Sequence, residues 1–242
     1  MSNPNDKLLL ICGSSGTGKS ACLRNIRVQE GVMYLNTESN KRLPFKNKFD
    51  RYNITDPHEV IEALEHAETV ESIHTIIVDS VTFLLDQYES IYIAGSANGM
   101  QAWSDFAQYF KTLMQKHVAE SSKHIVFTAH TLTQLNDTDN VLETKVPVKG
   151  SLKNNGLEAY FSTVVATKVM TIKDLKDYKS DMLNITEEEE AQGFKHVFQT
   201  RLTKGSTKER IRSPMGMFTA AETFIDNDIQ LLMDRLDEYY EE

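Results

Sequence analysis

The chain has 242 residues, is 40% hydrophobic and carries a formal net charge of -9 at neutral pH. That length suits one large domain with a buried core, and no apolar run approaches the ~18 residues of a membrane span, so neither a membrane segment nor a leader is expected. Two cysteines, Cys12 and Cys22, are expected as small reduced core residues of a cytoplasmic protein rather than a disulfide or metal pair.

The acidity is local. From Glu222 to the end there are eight acidic residues against the single Arg235, and Glu187–Glu190 adds four more. Those four read as a solvated loop or a helix start. Without the two patches the balance is 25 basic against 23 acidic residues, and five basic residues lie between Arg201 and Arg212. Charge therefore does not exclude a nucleic-acid surface on the core.

In chain order, Leu8–Cys12 predicts a buried strand and Ala21–Ile26 the first turns of a helix. Between them stands Gly13-Ser14-Ser15-Gly16-Thr17-Gly18-Lys19-Ser20, which fits G-x-x-x-x-G-K-[ST] in the strand–loop–helix setting that this motif requires. Backbone N–H groups of such a loop, through Ala21, point at a phosphate, and glycine lets the backbone approach it closely. Lys19 then reaches the β- and γ-phosphates, and the Ser20 hydroxyl ligates Mg²⁺. The chain is expected to bind a nucleoside triphosphate.

A second strand is predicted over Gly31–Asn36 and placed beside the phosphate-loop strand. Glu38 follows it, set to orient and deprotonate an attacking water, or else a surface glutamate at a strand end. A helix from Pro57 to Val70 and a third strand, His74–Asp79, come next. Asp79 ends that strand where a carboxylate holds Mg²⁺ through water. A helix best seen from Trp103 to Val118 precedes a fourth strand, His124–His130. Residues 131–156 read as a long loop. Phe161–Ile172 and Phe194–Leu202 suggest an antiparallel extension of the sheet, and a last helix carries Ile225, Ile229, Leu232, Leu236 and Tyr239. Strand–helix alternation predicts an α/β fold, a mostly parallel central sheet flanked by helices, with an antiparallel C-terminal extension. One domain is expected over 1–242, its core about 7–218 and its acidic C-terminal helix about 222–242.

GSSGTGKS, YLNTES, TIIVDSVT and IVFTAHT, in that order, resemble the RecA-like P-loop NTPase core. The match over most of residues 7–218 is nearest to short phage-encoded RecA-like ATPases of single-strand annealing and recombination. The resemblance implies ATP and Mg²⁺ as cofactors, Glu38 as the catalytic glutamate, Asp79 as the magnesium aspartate and His130 as the polar sensor. Thr207–Pro214 resembles the element by which these ATPases reach a neighbour's γ-phosphate, which implies Lys208 and Arg210 acting in trans. It further implies single-stranded DNA as a partner, held by two loops. The first falls near Tyr92–Trp103, with Trp103 as a stacking residue but no cation. The second follows His130, with Lys145, Lys149, Gly150 and Lys153. Self-association into a ring or filament is implied too, although the first strand starts too early to leave room for an N-terminal polymerisation domain. Two other readings remain at this stage. One is a regulatory or assembly ATPase on the same core, docking a protein partner through its acidic C-terminal helix. The other is a P-loop small-molecule kinase, disfavoured by the acidic, arginine-free stretch where a lid would lie.

Overall fold

The run Leu8–Gly13 forms β1, five of its six residues buried, at the middle of an eight-stranded sheet. We describe residues 5–136 and 140–241 of a computed structural model; residues 137–139 of the expected long loop, and 1–4 and 242 of the expected domain, lie outside the described residues. The helix expected after the phosphate loop is a single 3-10 turn over Ala21–Asn25. Beyond Ile26 no apolar spacing continues, and Gly31, at φ +90, turns the chain back into β2 (Val32–Asn36).

A polar edge strand, β3 (Asp50–Asn53), precedes α1 (His58–Thr69). Then come β4 (Thr75–Asp79) and α2 (Val81–Tyr88), which continues through a π-helical turn to Ile93. α3 (Gly99–Thr112) is capped by the Asn98 side chain and runs on in π-helical turns to Val118. β5 (His124–His130) follows. The expected long loop is instead a hairpin, β6 (Leu132–Asn136) and β7 (Val141–Lys145), followed by the single turn α4 (Leu152–Asn155). The C-terminal part comprises β8 (Thr163–Thr171), α5 (Ile172–Leu175), α6 (Glu187–Gln192), β9 (Phe194–Gln199), β10 (Phe224–Asp226) and α7 (Ile229–Tyr240). The four glutamates open α6, where Thr186 and Glu189 form a capping box. Ile225, expected on the last helix, lies in β10.

The strand order is β10-β9-β8-β1-β5-β4-β2-β3. All pairings from β8 to β3 are parallel, and the antiparallel extension begins at β9. Two corrections follow. The Phe161–Ile172 segment supplies a parallel strand, β8, hydrogen-bonded to β1. The second strand is not beside the phosphate-loop strand, because β5 and β4 stand between them. β5 is continuously apolar from Ile125 to Phe127, suited to a strand covered on both faces, whereas β2 borders the polar edge.

Alternate residues of the central strands point to two cores. Leu10, Met33, Ile76 and Phe127 pack against α1, α2 and α3 on one face. Leu9, Ile11, Tyr34 and Ile77 pack with Leu232 and Leu236 of α7 on the other. The apolar stripe of α7 is therefore buried on its own sheet and is not available to a docking partner. Cys12 and Cys22 are both free and buried.

Candidate functional site

The sheet order brings the carboxyl ends of β1, β5, β4 and β2 to one edge, and the predicted chemistry collects there. Gly13 at the end of β1 lies beside His130 at the end of β5. The Lys19 ammonium, 7% exposed, donates to the carbonyls of Gly13 and Ser14, each at 2.9 Å, and approaches Nδ1 of His130 at 3.4 Å. On its other side, Nε2–H of His130 donates to Glu38 Oε1 at 3.0 Å. An ammonium only donates and a carboxylate only accepts, so these two partners fix the imidazole tautomer. The Phe83 ring meets His130 edge-on at 5.6 Å. Burial lowers the Lys19 pKa, opposed by the carboxylates of Glu38 and Asp79.

Glu38 reaches this cluster although β2 is not beside β1. Its backbone N–H donates to Asn36 Oδ1 at 2.9 Å, which turns the chain back over the sheet edge. Lys41 donates to its Oε2 at 3.1 Å. The bond from His130, ahead of the Lys41 contact and against the cost of burial, pushes the Glu38 pKa down to about 2. Its carboxylate is therefore ionised at neutral pH. A depressed folded-state pKa gives stability that is complete above the unfolded value of about 4.3 and is lost as pH falls through the folded value. Replacing His130 by Ala is expected to move the Glu38 pKa up toward the ordinary carboxylate range, read by NMR titration of the carboxyl carbon. An unchanged titration would contradict the pairing.

Ser20 Oγ donates to Asp79 Oδ2 at 3.0 Å, so the two expected magnesium ligands touch. Asp79, 2% exposed, also accepts from the Tyr34 hydroxyl at 2.7 Å and from Thr128. Burial and Asp79 together raise the Tyr34 pKa, so it stays a donor. Tyr34 and Thr128 escaped the sequence reading. Their signal was polarity: each carries a hydroxyl between two buried apolar neighbours, Met33 and Leu35 for Tyr34 and Phe127 and Ala129 for Thr128. A hydroxyl and a carboxylate in contact form an oxygen donor set that fits a hard cation sharing its shell with phosphate oxygens.

Besides the Thr17–Thr167 hydroxyl contact at 2.5 Å, two bonds from the C-terminal part hold the phosphate loop from outside. His196 Nδ1–H donates to the Thr17 carbonyl at 3.0 Å, and Asn227 Nδ2 donates to the Gly18 carbonyl at 2.9 Å. Nothing local in the sequence announced them, because they come from β9 and from just past β10. A Cβ at Gly18 would meet Asn227 at 2.5 Å, so this close approach, at φ +106, requires glycine.

Arg210 lies elsewhere. It pairs with Glu143 of β7 at 2.6 Å, and Lys145 pairs with the same carboxylate at 2.7 Å. The Lys208 carbonyl accepts the Thr144 N–H at 3.0 Å, while its exposed side chain faces outward. Arg210 and Glu158 share a small cavity of about 250 Å³ with Gly13, Ser14 and Thr17. Glu38, Asp79 and Lys19 line a different cavity, of about 760 Å³.

The expected stacking residue Trp103 belongs to the second turn of α3. Its ring is 5.5 Å from Phe106, and a Cβ at Gly150 would touch it at 2.8 Å. Trp103 is thus a half-buried residue that packs within α3. Lys149 pairs with Glu89, with its side chain 60% exposed, and Lys153 is exposed on α4.

No helix of the described residues is long and apolar enough to cross a membrane. A family model described as an AAA domain matches residues 5–207. No curated protein matches the chain.

Proposed function

The chain belongs to this AAA-domain family of P-loop ATPases, and from that premise we propose a RecA-type ATPase that acts on single-stranded DNA in phage-type annealing or recombination, its site completed by a second copy of the chain. The observation that carries the hydrolytic part is the continuous contact Lys19–His130–Glu38 beside the touching pair Ser20–Asp79. Lys19 meets the β- and γ-phosphates, and Glu38 orients the attacking water. Ser20 and Asp79 would hold Mg²⁺, which supplies positive charge against the phosphate oxygens when bound.

The β6–β7 hairpin supports the DNA part. It starts two residues after His130 and is joined through Glu143 to Arg210, so a ligand on the hairpin acts next to both catalytic elements. Lys149 and Lys153 stand on the same connection and supply backbone charge. Engaging a neighbour's phosphate requires Arg210 to leave Glu143. A protein-docking role gains no support, since the stripe on α7 is buried.

Binding to single-stranded DNA with ATP and Mg²⁺ is expected to weaken linearly in log salt. Lys149→Ala and Lys153→Ala should each flatten the slope by about 0.7. Binding that is absent or insensitive to salt, with turnover unaffected by DNA, would contradict the DNA role.

A further inference from the structure

The cavity over the phosphate loop extends beyond the residues that serve a triphosphate. Past Arg24 and Asn25 it ends on a second wall, built by the segment between β8 and β9 together with β9 and β10. That wall is tied in place. Lys195, 7% exposed, pairs with Glu189 at 2.7 Å and with Asp226 at 3.1 Å. Asp226 also accepts the backbone N–H of Asn184 at 3.1 Å and its side-chain amide at 3.3 Å. These contacts occupy both carboxylates and the lysine.

Two of the groups that face the cavity here keep spare acceptor capacity. Glu188 accepts a hydrogen bond from Gln192 at 3.1 Å and pairs with no cation among the described residues. Asn227, 3% exposed, spends its amide nitrogen on the Gly18 carbonyl, and its Oδ1 has no hydrogen-bond partner among the described residues. Both offer acceptors. Phe194 presents an apolar ring, 40% exposed and edge-on to His196 at 6.1 Å, with Leu43 and Pro44 also lining the cavity. The two ends therefore differ in polarity. The Lys19 end attracts phosphates, whereas the wall at Glu188, Asn227 and Phe194 sets acceptors beside an apolar ring and suits a flat, neutral group that carries N–H and O–H donors.

We propose that this wall is the nucleoside subsite: Phe194 is the face on which the base stacks, and Glu188 accepts from the nucleoside's donors. The assignment rests on the phosphate-loop reading and fixes which way the nucleotide lies. It also explains why an exposed phenylalanine opens β9 directly after an acidic helix.

Calorimetric binding of ATP and of inorganic tripolyphosphate separates the two ends of the cavity. Base–aromatic stacking predicts that Phe194→Ala weakens ATP about tenfold or more, leaves tripolyphosphate binding unchanged, and that Phe194→Tyr restores ATP affinity. Unchanged ATP affinity in Phe194→Ala, or equal weakening of both ligands, would overturn the subsite. So would wild-type protein that binds ATP no more tightly than tripolyphosphate, while leaving the phosphate-loop reading intact. Binding of neither ligand to the wild type would overturn both.

Discussion

Arg210→Ala should lower ATP turnover by about 10³-fold or more while nucleotide affinity and fold are retained. An arginine that meets the transferring phosphoryl group from a neighbouring subunit has effects of about 10³–10⁵. In the proposed function that arginine comes from a neighbour. Within one chain, Arg210 lines the small cavity with Gly13, Ser14 and Thr17, apart from the one that holds Glu38 and Asp79. The competing explanation is structural: Arg210 merely pairs with Glu143 across a half-exposed contact, 32% and 18% exposed at the two side chains. A pair of that kind contributes about 0–1 kcal/mol to stability. A merely structural Arg210 would therefore leave turnover within a few-fold of wild type once the variant is shown to be folded.

Glu38→Gln should reduce turnover by about 10²–10⁴-fold, the range for losing a positioned acid–base group. ATP binding should survive, because Lys19 and the loop amides are untouched. The low pKa of Glu38 shapes its role. A carboxylate held near 2 by His130 is a weak base at neutral pH, so in the proposed mechanism its contribution is to accept and aim a water's hydrogen bond. Stopped-flow binding with single-turnover hydrolysis distinguishes the outcomes: intact binding with lost chemistry is expected, and unchanged chemistry would remove Glu38 from the mechanism.

Much of this site was legible because the motif residues act close to where they stand in the chain. Lys19 and Ser20 belong to the loop, and Asp79 and His130 end strands whose apolar runs announce them. Glu38 was legible as a residue at a strand end, but the reason given for its position was wrong. Strand order depends on crossovers between distant segments, and no local pattern in Tyr34–Glu38 encodes that β5 and β4 intervene before β1. The hairpin stayed hidden because Leu132–Asn136 and Val141–Lys145 have little strict alternation and flank a polar stretch of sequence. The helix read from Trp103 begins four residues earlier, at Gly99, a start that was hidden because that glycine and the neighbouring Asn98 look like loop. Residues that act from afar, His196 and Asn227 on the phosphate loop, left no local trace at all. The acidic run at Glu187–Glu190 was legible as a solvated loop or a helix start, and it opens α6, but it gave no sign that two of its residues line the cavity over the phosphate loop.

A site shared between subunits makes a demand that no single-chain enzyme meets. Glu38→Gln lacks a group on the nucleotide-holding side, and Arg210→Ala lacks one on the side offered to the neighbour. Each variant alone should be inactive. ATP turnover of an equimolar mixture, with Mg²⁺ and single-stranded DNA, is predicted to rise well above the sum of the two separate rates, because mixed interfaces pair an intact Glu38 with an intact Arg210. Turnover that stays at that sum, in protein shown to associate, would contradict a composite site.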